Sequence, residues 1–285
     1  MNKPFVLLLA LLLCAGTLPA QGFLSRSEIG FSWGGMNYIG DLNNQSMLGK
    51  VNLAGGIAAR YHIDPRWAVA VSGVYGHIES RDYIVRRNLS FRSMVAEAGV
   101  RAEFNFFPYG GRRATLKRAT PYLFVGIGFF KFNPQAQYAD PAGGSIGWYD
   151  LQPLGTEGQG SSSYPDRQKY VLVETCVPFG MGYRFRIADN VHITAEYGWR
   201  KTWTDYLDDV STTYVGADIL VNQPDGTLAA TLADRSGEVV SGYVNGTGVK
   251  RGDDSLNDWY SYFSLSITFS AEMLFGWMRG HACEQ

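Results

Sequence analysis

Four histidines, at positions 62, 77, 192 and 281, are the first candidates for metal or acid–base chemistry, and their spacing suggests no metal site. His77 has Ser80 and Asp82 close in sequence, the residue types of a base, a nucleophile and an orienting acid. Such a trio arises readily by chance, and no catalysis is expected. Asp205, Asp208 and Asp209 in TDYLDDVS offer oxygen ligands for calcium, but the stretch lacks the turn glycine and closing glutamate of a calcium loop. It reads instead as a solvated loop and a strand end. Arg251-Gly252-Asp253 spells an integrin tripeptide, in a Gly- and Asp-rich stretch where three letters carry little information. These groups imply no metal and no cofactor.

The charged residues that follow a rule lie on alternating positions. From Met94 to Phe106 every second residue is apolar, and Glu97, Arg101 and Glu103 fall in the other phase. The same period sets Glu174 and Arg184 against Val173, Val177, Phe179, Met181, Tyr183 and Phe185. It sets Glu196 and Arg200 against Val191, Ile193, Ala195, Tyr197 and Trp199. Period-two alternation over about ten residues marks the strand of a membrane barrel, apolar towards lipid and polar inwards. A soluble sandwich alternates too, but its strands usually run only about five or six residues. Buried charges are costly unless paired. Glu97, Arg101, Glu103, Glu174, Arg184, Glu196 and Arg200 are therefore expected to form a paired network that plugs the lumen, with a small charged channel as the alternative.

Strand candidates fall at about 27–39, 52–61, 67–79, 90–107, 119–132, 168–186, 190–202 and 257–270. An even count closes an antiparallel barrel with both chain ends on the periplasmic side. If the first strand runs outward, 62–66, 108–118 and 187–190 are short periplasmic turns, and 133–167 and 203–256 are two long extracellular loops. The expected fold is all-β, an eight-stranded antiparallel transmembrane β-barrel over residues 21–270. One stretch, SRSEIGFSWGGMNYIGD, breaks the rule: Ile29, Phe31 and Trp33 are odd-numbered, Met36 and Tyr38 even. The apolar phase slips across Gly34–Gly35, which predicts a β-bulge there.

The chain begins MNKPFVLLLALLLCAGTLPAQG, with Lys3, an apolar run and small residues before Gln21. That pattern reads as a signal peptide, residues 1–20, cut after Ala20. Cys14 would be a lipoprotein site, but Leu13 stands where a small residue is wanted. A formal net charge of −1 gives no case for nucleic acid as a partner, which wants a basic excess. The turn PYGGRRATLKR gathers Arg112, Arg113, Lys117 and Arg118, cations suited to anionic lipid headgroups or an acidic periplasmic partner. Residues 271–285 extend past the last strand as a periplasmic tail, where Phe275 and Trp277 suit the membrane interface or a partner's groove. Cys283 ends this tail. Cys176 sits about ten residues up its strand, some 30 Å away at roughly 3.3 Å per residue, beyond disulfide reach. Cys283 is left as a free thiol or one half of an intermolecular disulfide.

The segments SEIGFSWGGMNYIGDLN, PFGMGYRFRIADNVHITAEYGWRKTWTDYLDDVSTTY and RGDDSLNDWYSYFSLSITF resemble, in order, the PorG-like outer-membrane barrel family of Bacteroidota with type IX secretion. The resemblance implies a non-enzymatic barrel in the cell outer membrane, a scaffold that anchors a periplasmic ring lipoprotein of the secretion machine. The tail and the basic turn, through Cys283, Trp277, Phe275, Arg112, Arg113, Lys117 and Arg118, are then the natural contacts. The alternative is a surface barrel that binds host or matrix ligands through its long outer loops. A lipid- or peptide-modifying barrel enzyme is a third reading.

Overall fold

The alternating segments become strands β1 (Ser27–Ile39), β2 (Asn52–His62), β3 (Trp67–Arg81), β4 (Ser90–Asn105), β5 (Ala119–Ala139), β6 (Ile146–Asp150), β7 (Val173–Ala188), β8 (Val191–Thr202) and β9 (Trp259–Ser270). They are seen in a computed structural model that describes residues 23–43, 50–109, 117–139, 146–223 and 225–275. All pairings are antiparallel, in the order β4-β3-β2-β1-β9-β8-β7-β5, and β4 also pairs with β5 to close the circle. Eight strands make a closed barrel. β6 stands outside it, paired only with the end of β5.

Side chains follow the pleat. Phe31, Ile57, Val71, Val100, Ile127, Met181, Ile193 and Leu265 all point outward and are exposed. Soluble monomers rarely expose a continuous apolar belt of this extent. No helix among the described residues is long and apolar enough to cross a membrane. Inward positions alternate small and large, as a narrow barrel requires.

The bulge expected at Gly34–Gly35 is absent. β1 pairs with β2 and with β9 in unbroken register, and Met36 and Tyr38 point into the barrel, fully buried. The apolar phase changes because the interior changes: it is polar at the end where β1 starts (the inner end) and apolar at the end where β1 stops (the outer end). The glycines answer to a close approach. A Cβ on Gly34 would lie 1.9 Å from the Phe263 carbonyl oxygen of β9, and one on Gly35 would lie 2.2 Å from Val51 Cγ1. The register shift that does occur lies between Arg186 and Ala188, where β7 meets β8.

The two long connections fall at one end of the barrel, as expected, and they are folded. β5 runs seven residues past its expected end, to Ala139, and forms a hairpin with β6. Residues 203–258 carry α1 (Ala217–Leu220), α2 (Gly226–Ala233) and a 3-10 turn at Ser236–Glu238. Leu151, Leu154, Leu220, Ala229 and Leu232 pack into a core of their own above the barrel. The outer end therefore wears a folded cap. At the inner end β9 passes directly into α3 (Ala271–Phe275).

Candidate functional site: a filled lumen beneath a folded cap

Glu103 is the hub of the lower lumen. Small inward residues from several strands leave room for long side chains, and three arginines converge on this one carboxylate. Arg60 Nε lies 2.6 Å from it, Arg184 Nη2 2.8 Å and Arg101 Nε 3.0 Å. Arg101 reaches on to Glu196 at 2.7 Å, and Tyr122 donates to the other Glu196 oxygen at 2.5 Å. Arg60 also binds Glu28 at 3.0 Å. Rings complete the packing: the Arg184 guanidinium lies 4.3 Å from the Tyr122 centroid, and Arg101 lies 4.5 Å from Phe124.

A second layer lies above. Arg200 bridges to Glu97 at 2.9 Å, and Tyr260 donates to the same carboxylate at 2.8 Å. A Cβ on Gly198 would come within 2.7 Å of the Arg200 guanidinium, so that guanidinium needs its glycine. Below, His62 meets Glu28 at 2.9 Å, and Tyr109 folds in from the inner turn to bond His192. Arg60, Arg101, Arg184 and Arg200 thus face Glu28, Glu97, Glu103 and Glu196, and formal charge is balanced. A residual polar cavity of about 40 Å³ remains between the layers, enough for water but not a solute path.

Of the lumen residues expected from sequence, Glu97, Arg101, Glu103, Arg184, Glu196 and Arg200 are drawn into these pairs. Glu174 is not. It sits half-buried on β7, level with Phe130, with no ion pair among the described residues. Sequence reasoning missed Glu28, Arg60, His62, Tyr109 and Tyr122. The first three sit on the inward phase of β1 and β2, where Gly and Ala on both faces blur the alternation.

Towards the outer end the lumen turns apolar. Met36, Tyr38, Ile78, Phe91, Val95, Phe130 and Phe132 fill it, and Leu207 and Val210 descend from the cap to join them. Cys176 is a buried free thiol within this layer. Polar latches then tie cap to barrel. Tyr38 Oη lies 2.6 Å from Asp208 Oδ2 and 2.8 Å from Asp258 Oδ1. One hydroxyl carries one proton, so the second short contact requires a proton on one of the two carboxyls. Burial pushes both Asp208 and Asp258 well above the usual carboxylate range, and it pushes Asp205 up to about 8.

A second latch holds the cap's own interior together. Glu157, fully buried, accepts from the Ser211 and Thr212 amides at 2.9 Å each and from Arg251 at 2.9 Å. Arg251 also reaches the Asp209 carboxylate at 3.7 Å, and Asp209 accepts from Tyr170 at 2.7 Å. Burial pushes Asp209 up to about 6, against the pull of the Arg251 guanidinium.

These positions revise several expectations. Asp205, Asp208 and Asp209 are buried structural groups and not a solvated loop, because the segment folds down into the barrel mouth. Arg251 is buried in an ion pair, so the integrin-like tripeptide is not displayed. His77 points outward while Ser80 points inward to the Leu42 carbonyl, and Asp82 is held by Arg87. That trio does not assemble. Lys117 and Arg118 are exposed at the inner turn, and Phe275 is half-buried on α3. Arg112, Arg113, Trp277 and Cys283 lie outside the described residues.

Comparison with known proteins finds one family profile and several solved barrels. The profile of a domain of unknown function, DUF6089, matches residues 3–142. No curated protein sequence matches the chain. Among solved structures, the chain is similar to Neisserial surface protein A, at 12% identity and a TM-score of 0.40, covering 86% of this chain and 97% of that one. It is similar to Ail, the attachment invasion locus protein of Yersinia pestis, at 10% identity, a TM-score of 0.39 and coverage of 85% and 96%. Against the outer membrane protein OprG of Pseudomonas aeruginosa the values are 8%, 0.39, and 86% and 97%. These neighbours are outer-membrane barrels. Likeness at this level carries no function across.

Proposed function

We propose that the protein is a non-enzymatic outer-membrane barrel that serves as a structural anchor, with residues 1–20 as its signal peptide. The observation that carries this reading is the filled lumen. Balanced ion pairs close its lower half and an apolar core closes its upper half, inside a barrel whose outer belt suits lipid. A barrel that passes nothing is free to act through its surfaces. The resemblance to PorG-like barrels supports a finer form of the proposal. In that form the inner end holds a periplasmic ring lipoprotein of type IX secretion, through the basic turn and the tail 271–285 that carries Phe275, Trp277 and Cys283.

Two measurements test this. Planar bilayers containing the purified protein should stay without unit conductance, and steady channel openings would count against the anchor. A pull-down from detergent-extracted membranes should recover a periplasmic lipoprotein with the full chain and lose it when residues 271–285 are deleted. Non-reducing electrophoresis of a Cys283→Ser variant reports whether a disulfide contributes.

A second reading, ligand binding at the cell surface, draws on the cap. A disordered loop would not need its own apolar core and buried ion pair, whereas a recognition surface gains from being rigid. Binding lost on deletion within 203–256, with the periplasmic partner retained, favours this alternative.

A further inference from the structure

At the outer rim, above the seam where β1 meets β9, a groove of about 800 Å³ opens between barrel and cap. That is the volume of a pocket for a small organic ligand. Its floor is aromatic and belongs to the outside of the barrel. Phe179 and Trp199 are register partners whose rings stack 5.8 Å apart, and Trp259 meets Phe179 edge-on at 6.0 Å. Ile39 is the β1 partner of Trp259 and extends the floor across the seam.

These residues top the apolar belt. Lys201, the β9-facing partner of Trp259, already carries charge and places its ammonium 6.0 Å from that indole. Trp at the edge of a barrel's apolar band marks the level of lipid headgroups. The upper wall changes character. Lys250, Arg86, Arg87 and Arg251 line it against Asp41 and Asp253, a cationic surplus. Arg87 is committed to Asp82, and Arg251 to Glu157. Asp41 accepts the Asp253 amide at 2.7 Å, and Asp253 accepts the Ser255 hydroxyl at 2.7 Å. Lys250 is 67% exposed and, among the described residues, pairs with Asp253 at 3.1 Å, while Arg86 lies over the Tyr243 ring at 5.0 Å. Two cations therefore stand above an aromatic floor, at the height where a headgroup joins its acyl chains.

We infer that this groove binds one phosphorylated lipid of the outer leaflet, its acyl chain along Phe179, Trp199 and Trp259 and its phosphate met by Lys250 and Arg86. A lipid is favoured over a peptide because the floor is continuous with the lipid-facing wall, so the occupant enters sideways from the bilayer. The inference rests on the reading that the barrel spans a membrane.

Native mass spectrometry of the detergent-purified protein, incubated with phosphatidic acid or with phosphatidylcholine of the same chains, tests it. The expected result is one retained phosphatidic acid per barrel, preferred at least ten-fold, with no displacement by excess inorganic phosphate. The Lys250→Glu, Arg86→Glu pair should abolish that preference, while heat-modifiable electrophoretic mobility stays that of a folded barrel. Trp199→Ala should weaken retention of both lipids. Equal retention of the two lipids, indifference to charge reversal, or displacement by inorganic phosphate alone would each overturn the proposal. Lys250→Glu by itself, on a mostly exposed side chain, guards against a variant that fails to fold. Insertion into liposomes, read by protease protection of the strands, is measured alongside. Failure to insert defeats the membrane reading, whereas insertion without lipid preference defeats only the groove.

Discussion

The lower lumen and the cap both bury charge, and they do it in different ways. In the lumen, neighbouring strands present Arg and Glu at fixed heights, so each guanidinium finds its carboxylate across a rigid cylinder. In the cap, Glu157 and Arg251 come from segments 94 residues apart and meet only because two connections fold around each other. The lumen's pairing is positioned by the pleat. The cap's pairing must itself help to position the chain. A defect in the first should therefore be felt by the whole barrel, and a defect in the second by the cap alone.

Glu103→Ala tests the first half of that contrast with the largest expected effect. It leaves Arg60, Arg101 and Arg184 facing one another without their shared anion. Breaking a buried pair typically costs about 3–5 kcal/mol, and urea unfolding in detergent should register at least this much. Arg251→Met comes next. It strands the Glu157 carboxylate, so trypsin should cut within 203–256 in the folded protein while the barrel's unfolding midpoint stays put. A lowered barrel midpoint in this variant would mean that cap and lumen are one cooperative unit.

Tyr38→Phe is smaller, about 1–3 kcal/mol on the cap–barrel contact, since it removes one buried hydroxyl between two carboxyls. This latch also predicts a pH dependence. Asp205 and Asp208 hold protons in the folded state up to about pH 8, and Asp258 is raised as well. In the unfolded chain an aspartate releases its proton near pH 4. Between those limits the folded cap binds more protons, so its stability is full below about pH 4 and declines as pH rises towards 8. Around this latch stand Arg87, Asp41, Glu157, Asp209 and Arg251, all from connections and none from a barrel strand. Protease resistance of the cap should accordingly be greater at pH 5 than at pH 9, and Asp208→Asn should flatten the profile. The smallest effect is expected at Glu174, where Gln should change stability by less than about 0.5 kcal/mol because no ion pair depends on it.

The same contrast explains what could be read from the sequence. Barrel strands were legible because lipid outside and polar groups inside impose a two-residue period, clearest in β4, β7 and β8. Six of the charged residues on that period do meet in the lumen, as the pleat requires. At Gly34–Gly35 the two-residue period misleads because the interior is not of one kind throughout. Met36 and Tyr38 are apolar and inward, which looks like a slipped register unless the outer mouth is known to be an apolar core. Asp205, Asp208 and Asp209 look solvated in the sequence for a related reason. Nothing in a local acidic run reveals that it will be drawn beneath a cap, because the partners that make it buried lie in β1, ahead of β7 and ahead of β9. Long-range pairing between connections has no period to announce it.

Tyr38 belongs to the first strand of the barrel, and Asp258 immediately precedes the last. Their hydrogen bond joins positions 220 residues apart and crosses the seam at which the cylinder is sewn shut. It cannot form while that seam is open. Docking of the cap onto this hydroxyl therefore follows closure of the barrel. A half-assembled barrel would show its cap segments to proteases and chaperones, and a completed one would withdraw them. The hydroxyl of Tyr38 serves as a record, carried in the finished molecule, that closure has taken place.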